Sequence, residues 1–563
     1  MQFEGIGQII LYAIALLVLA YPLGQYMAWV YTREKDDVIE RGFFRAFGRG
    51  SGDEQNWKSY ATTVLIFSLI FFGLLYALLR LQGHLVLNPD HLPGVTWPVS
   101  LNTAVSFVTN TNWQYYGGES TMSYLSQMAG LAVQNFVSAA VGMAVLAAVV
   151  RAISRRSSGT IGNFWRDLYR SLVYIMLPLS IIVGIILIWQ GVPETFNGHT
   201  TALTLQGAHQ SIARGPVASQ IAIKQLGTNG GGYYNSNSAV PLENPTGLSN
   251  FVELLAILLI PAAQVFMFGR MVKARRHAWM IYTAMFALFA IGVGTALAAE
   301  QHGSQVLRQS GVSLAASSSQ SGGNMADKEV RFGIANTALW ATATTDASNG
   351  SVNGGHDALT GAGGAVPITN MFTGEVIFGG VGTGLIGMFF YIVIAVFVAG
   401  LMVGRTPEWL GKKIQAREIK LAALGALFVP TMVLVMTAVA IGTKAGQASI
   451  FNSGVHGFSE TLYTYDSQSN NNGSAFAGYG ATSFSTSFGA VAMAFGRFVP
   501  MLAGLALAGS LAQKKTVPAS AGTFRTDGPT FVVLLVGVVL FTAGLMILPA
   551  LSLGPIAEGL MHL

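Results

Sequence analysis

The chain has 563 residues, of which 52 % are hydrophobic and only 10 % charged, with a net charge of +6 and a mean hydropathy of +0.51. An ordinary soluble protein carries roughly 25 % charged residues, so this composition excludes a soluble globular chain and implies an integral membrane protein. No block of five or six like charges offers a nucleic-acid footprint, and the lack of cysteine removes disulfides, thiolate metal sites and thiol nucleophiles together.

Met1-Gln2-Phe3-Glu4-Gly5 contains no basic residue, so the first apolar run reads as a retained span and not a cleaved leader. Runs long enough to cross about 30 Å of hydrocarbon fall at 8–30, 60–82, 128–150, 170–190, 251–269, 277–299, 371–403, 419–442, 485–511 and 530–552. The loops 31–59, 151–169, 270–276, 404–418 and 512–529, with their flanking ends, hold six, five, four, five and three cations, 23 of the 31 Lys and Arg. The positive-inside rule then predicts ten spans with both termini on the outer side.

The outer connections, 83–127, 191–250, 300–370 and 443–484, are rich in Gly, Ser, Asn and Thr. Each holds a helix-like stretch too short to span, at 100–108, 216–226, 330–343 and 457–465. A small polar signature follows each one: Asn110-Thr111-Asn112, Thr228-Asn229-Gly230, Ser348-Asn349-Gly350 and Asn471-Asn472-Gly473. Their first members lie 118, 120 and 123 residues apart. The repeating unit is therefore span, short helix, polar loop, span. The fold expected is all-α, with four membrane–pore–membrane repeats around a pseudo-fourfold pore. Its units are 60–169, 170–276, 277–418 and 419–529, preceded by an extra span and loop at 1–59 and closed by an extra span at 530–563. The segment 303–323, biased to Ser, Gln and Gly, reads as a flexible outer loop without chemistry.

Non-helical backbone is tolerated at membrane depth only where it is buried in protein or lines water. Four such loops around an axis present rings of carbonyl oxygen, and two rings supply enough ligands to replace the water shell of a monovalent cation. Glycine lets that backbone adopt positive φ, and the short helices aim their partially negative C-terminal ends at the same point. Asn-Gly alone is ordinary turn chemistry; four copies at near-constant spacing favour a pore.

The strings Ser106-Phe107-Val108-Thr109-Asn110-Thr111-Asn112-Trp113-Gln114, Leu226-Gly227-Thr228-Asn229-Gly230-Gly231-Gly232 and Asn471-Asn472-Gly473-Ser474-Ala475-Phe476-Ala477-Gly478 closely resemble the potassium-binding A subunits of Kdp potassium-transporting ATPases. So do Gly374-Glu375-Val376-Ile377-Phe378-Gly379-Gly380-Val381-Gly382 and Gly400-Leu401-Met402-Val403-Gly404-Arg405-Thr406-Pro407-Glu408. These motifs run from the first repeat to the last. The resemblance implies the potassium-transporter superfamily fold in a bacterial inner-membrane complex with a P-type ATPase subunit and two small membrane subunits. Potassium would be selected at an extracellular filter and passed through an intersubunit tunnel to the ATPase subunit. Carried over, the inner ring is the backbone of Asn110, Thr228, Ser348 and Asn471, and the outer ring that of Asn112, Gly230, Gly350 and Gly473. Thr111, Asn229, Asn349 and Asn472 lie between the rings, with Gln114, Gly231 and Gly232 in support. Asn112 stands where the other loops have glycine, so an asymmetric filter is expected. The third loop departs from the family string, which leaves its register open by one residue.

The run 371–403 would be about 50 Å long as one helix, more than a straight span needs. Gly379-Gly380-Val381-Gly382-Thr383-Gly384 is a natural break. Gly382 to Gly387 also fits GxGxxG, but an apolar span supplies neither the strand nor the acidic residue of a dinucleotide site. Close helix packing through small residues is one reading of this stretch. The resemblance favours another, a gate loop beneath the filter. Glu375 lies before the break and Arg497 lies inside the ninth run, and ionisable groups in spans are commonly functional or paired. Arg405, at the inner boundary, is either a positive-inside anchor or a gating contact.

The chain contains no G-x-x-x-x-G-K-[ST] loop, no Asp-Lys-Thr-Gly string and no H-E-x-x-H pair, so neither nucleotide hydrolysis nor a metal centre other than potassium at the filter is expected of it. The reading is a non-hydrolytic, potassium-selecting subunit of an ATP-driven uptake complex. Its competitors are an autonomous potassium channel or secondary transporter of the same architecture, and an organic-solute transporter. The last predicts an inverted twofold repeat, where a parallel fourfold one is found.

Overall fold

The computed structural model describes residues 2–34, 36–46, 53–317, 321–402, 404, 406–518 and 523–561. Ten helices long and apolar enough to cross a membrane are present among these residues: Gly5–Thr32, Trp57–His84, Ser126–Ser154, Phe164–Trp189, Gly247–Met271, Arg275–Gln309, Thr383–Met402, Ala416–Gly442, Ser483–Gln513 and Pro529–Leu553. They are numbered here as spans one to ten. Polar caps set several of their starts. Asn56 accepts from the Lys58 and Ser59 N–H groups, and Thr246 and Thr482 form capping boxes with Ser249 and Ser485.

Four shorter helices stand between paired spans: Trp97–Val108, Val217–Leu226, Gly333–Asp346 and Gly454–Asn470. These are pore helices one to four. Within each repeat the second span lies inside the first. In spans three, five, seven and nine 61–89 % of the most apolar stretch is buried, against 28–50 % in spans two, four, six and eight. Composition explains the difference. Span three carries Ala139, Ala140, Gly142, Ala144, Ala147 and Ala148, whose small side chains let helices approach closely where lipid offers no hydrophobic advantage to a larger one. Span two instead exposes Ile66, Leu69, Ile70 and Leu74, the apolar face a bilayer requires. Span one packs along span five, and span ten along spans six and seven.

The end of the bundle away from the pore helices is tied by ion pairs. Arg170 binds Asp36 and Glu40, Arg151 binds Asp167, and Arg155 binds Glu54. Buried Lys412 donates to the carbonyls of Ala152 and Leu511 near the ends of spans three and nine, where the helix dipole favours a cation. Two short antiparallel hairpins, Thr200–Leu203 with His209–Ile212 and Glu408–Trp409 with Lys412–Lys413, accompany the helices. Segment 303–323 includes a helical turn, Gln305–Gln309.

The seventh run is broken at the glycine string, through Gly379–Gly382, and the break begins six residues earlier. A helix Gly361–Phe372 precedes the break, started by Thr360, whose hydroxyl accepts from the Gly363 N–H. Its Gly361-Ala362-Gly363-Gly364 start reads as loop by composition, and the cap overrides this. The chain leaves helical geometry from residue 373 to 382, with positive φ at Gly374, Glu375, Phe378, Gly379 and Gly382. Glu375 is thus inside the break, and Gly384 already belongs to span seven.

Candidate ion filter and the broken span beneath it

The four polar loops share one backbone device. Asn110, Thr228, Ser348 and Asn471 adopt φ of 65°, 48°, 55° and 63°, all in the left-handed region. For β-branched Thr228 this is strained, so surrounding structure must hold it there. Ser348 is the residue of the third loop that makes the turn, in line with the other three. In every loop the next residue turns its N–H back to its own pore helix. Thr111, Asn229, Asn349 and Asn472 donate to the carbonyls of Ser106, Lys224, Thr344 and Ser467, five residues earlier, across 2.8–2.9 Å. A trans peptide sets its C=O opposite its N–H. The carbonyls of Asn110, Thr228, Ser348 and Asn471 therefore face away from the pore helices.

Bonds close all four seams between the loops. The Asn110 amide donates to Thr228 O, the Gly350 N–H to Asn229 O, the Ser348 hydroxyl to Asn471 O, and the Asn471 amide to the Thr111 hydroxyl. Glycine is required at the contacts. A Cβ at Gly230 would land on the Gly350 backbone, one at Gly350 on Gly473, and one at Gly473 on Thr111. The ring is asymmetric. Asn112, Gly230 and Gly473 have positive φ, whereas Gly350 does not. The Asn112 amide donates to Gly230 O at 3.1 Å, and Gln114 exchanges two hydrogen bonds with the Gly232 backbone. Gly231, with φ of 69°, packs against Asn112. All of these loop residues are buried except Gln114 and Gly473, which are partly so.

The break in the seventh run lies against all four repeats. The Val381 N–H donates to the Thr228 hydroxyl at 2.9 Å and the Gly382 N–H to Gln264 of span five at 2.8 Å. The Gly379 N–H reaches Asp346 O at the end of pore helix three, and Gly380 abuts Ser348. Gly382 meets the backbone of Gly142 in span three, and Gly379 that of Gly384. Glu375 accepts from the Asn472 amide at 2.7 Å. A cavity adjoining the break is lined by Thr373, Glu375, Phe390, Asn471, Arg497 and Met501, among others. Arg497, 5 % exposed, donates to the Thr383 hydroxyl at 3.1 Å. Arg405 lies outside the described residues.

Sequence reasoning passed over several buried polar groups that support the loops. The Asn135 side-chain oxygen accepts from the Asn112 amide, the Ser138 hydroxyl donates to Asn110 Oδ1, and Gln264 Oε1 accepts from the Gly382 N–H. Their signal was available, since an amide inside an apolar span is rarely idle. Asp346 was also missed; its carboxylate is buried with no hydrogen-bond partner among the described residues.

A family model for the Potassium-transporting ATPase A subunit matches residues 10–560. The chain belongs to that family. It is 55 % identical over 577 aligned residues to a protein of Sorangium cellulosum named as a potassium-transporting ATPase potassium-binding subunit, covering 100 % of this chain and 99 % of that one. Proteins of the same name from Methylobacterium nodulans and Herpetosiphon aurantiacus are each 53 % identical, with 98 % or more of every chain covered. Among solved structures, the potassium transporter TrkH from Vibrio parahaemolyticus superposes with a TM-score of 0.52 at 13 % identity, over 89 % of this chain and 98 % of that one. The chain thus shares its fold with that transporter at very different sequence.

Proposed function

We propose that this chain binds extracellular potassium at the four-loop ring and passes it to a P-type ATPase subunit in an ATP-driven uptake complex that also holds two small membrane subunits. The observation that carries the reading is the backbone device repeated in all four loops, in a chain of the potassium-transporting ATPase A subunit family. Four carbonyls freed from their own helices offer a ring of oxygens that replaces hydration around potassium, and the four pore helices add their C-terminal dipole ends. Held at fixed spacing by the seam bonds, such a ring discriminates between ions because it cannot collapse onto a smaller one at no strain.

The break at 373–382 is the gate in this reading. It fills the route below the ring, and the Glu375 carboxylate offers a dehydrating ion a negative partner there. Potassium then leaves by the lateral cavity beside Glu375 and Arg497 toward the ATPase subunit. Energy has to come from that partner, because this chain carries no phosphate-binding loop and no Asp-Lys-Thr-Gly string. The cation-rich loops face the cytoplasm and both termini face outward in the bacterial inner membrane.

The test is ATP hydrolysis by the assembly that copurifies with this chain, titrated with potassium and separately with sodium. Saturable stimulation by potassium alone is expected. No copurifying hydrolysis, together with potassium flux in liposomes holding this chain alone, would instead establish an autonomous transporter.

A further inference from the structure

Eight cations lie off the cation-rich loops, and one of them, Lys224, sits in pore helix two with no exposed surface. A buried ammonium next to a ring that collects cations opposes potassium unless something turns it to use. Its contacts show what that use is. Lys224 holds the second loop at both ends. Its backbone carbonyl receives the N–H groups of Asn229 at 2.9 Å and Gly230 at 3.4 Å. Its ammonium donates to Gly231 O and to Glu243 Oε2, each at 2.7 Å. Glu243, equally buried, accepts with its other oxygen from the Tyr234 N–H at 2.8 Å. The Thr228-Asn229-Gly230-Gly231 turn is thus clamped between one residue's carbonyl and the same residue's side chain.

We infer that Lys224 is a positioning residue of the filter: its ammonium, neutralised by Glu243, draws the Gly231 carbonyl behind the second loop and so fixes which oxygens that loop presents to the ion. The other loops have no such clamp at the matching place, five residues before the middle of the signature. There stand Ser106, Thr344 and Ser467, and their hydroxyls reach the same region with neutral bonds: Ser106 to Trp113 O, Thr344 to Ser351 O, and Ser467 from the Gly473 N–H. The second loop is also the one with three consecutive glycines, Gly230-Gly231-Gly232. It has the greatest backbone freedom and hence the greatest need of a strong, charge-assisted anchor. Glu243 is necessary to the scheme because it cancels the ammonium's repulsion of an ion in the ring while leaving its hydrogen bond in place.

This inference rests on the reading of the ring as a potassium filter. The experiment uses the full complex and compares wild type, Lys224→Arg and the charge-neutral pair Lys224→Met/Glu243→Gln in potassium- and sodium-titrated ATP hydrolysis. Wild type without selective potassium stimulation would defeat the filter reading itself. Given that stimulation, the double variant is expected to assemble, to keep its maximal rate and to raise the half-stimulating potassium concentration by about tenfold, the effect of losing one charge-assisted hydrogen bond. Sodium stimulation should emerge in it, and Lys224→Arg should fall between the two. An assembled double variant with wild-type potassium response and no sodium response overturns the inference. So does failure of both variants to assemble, which would make the pair a folding element.

Discussion

The side-chain amide of Asn472 donates to Glu375 Oε1 across 2.7 Å, joining the fourth polar loop to the break in the seventh run. Its amide also reaches Thr344 O at 3.0 Å, so one asparagine links the third repeat, the fourth and the candidate gate. An amide oxygen at 375 could accept the same bond. Glu375→Gln therefore removes charge with little change in packing, and it should lower potassium transport about tenfold, the scale of one buried charge interaction, while the melting temperature of the complex stays near wild type. Transport per molecule and thermal unfolding measured on the same preparation decide this. Normal transport with poor thermal stability would make Glu375 a structural residue.

Gly230 has φ of 70° and lies against the Gly350 backbone. Alanine there meets both a strained conformation and a blocked space, and aspartate adds a charge to a ring built of carbonyls. A left-handed non-glycine residue costs about 1–3 kcal/mol, so Gly230→Asp should raise the half-stimulating potassium concentration by about tenfold or more. Gly350→Ala offers a comparison, since its φ is not left-handed and only the clash of the new Cβ with the Gly473 and Asn472 backbone opposes it. Its effect on the same titration should be smaller.

What could be read from the sequence follows from what each element must do physically. Spans one, two and ten face lipid over most of their length and had to be apolar throughout. The fourfold repeat was visible because the turns at Asn110, Thr228, Ser348 and Asn471 require small polar residues or glycine nearby at near-constant intervals. The helix Gly361–Phe372 was hidden because glycines dominate its start and its cap, Thr360, looks like any loop threonine. The seam bonds were not legible either. Asn471 meets Thr111 across 360 residues of sequence, and no local pattern encodes that distance. The pairing of Lys224 with Glu243, 19 residues apart and both fully buried, has no local pattern in the sequence either.

Arg497 presents a buried guanidinium to Thr383 at 3.1 Å, next to the point where Gly142 meets Val381. It has no salt-bridge partner among the described residues, and its reach to the start of span seven ties span nine to the lower edge of the break. Arg497→Gln shortens that reach and removes the charge. The break should loosen, and potassium should pass in the absence of ATP. Efflux from liposomes holding the assembled complex, measured without nucleotide, is expected to rise severalfold over wild type. Unchanged efflux with lost ATP-driven uptake would assign Arg497 to the exit path instead.

His456 is the group whose charge should matter to stability. Near the start of pore helix four, its ring meets Asp357 Oδ1 at 3.2 Å and Glu558 Oε1 at 2.9 Å, with Glu460 at 3.7 Å. The hydrogen bonds to Asp357 and Glu558 push its pKa up to about 10. Three carboxylates around a protonated ring form an ionic clamp joining pore helix four to the loop after the third signature and to the terminal helix Pro555–Met561. Because the folded value lies above the ordinary one of about 6.5, the clamp's contribution is full below pH 6.5 and lost as pH rises through 10. The melting temperature of the wild-type complex should therefore exceed that of His456→Gln by a few degrees at pH 6.5, and the gap should close by pH 10. A gap that stays constant across that range would mean the ring acts by packing, with its proton irrelevant.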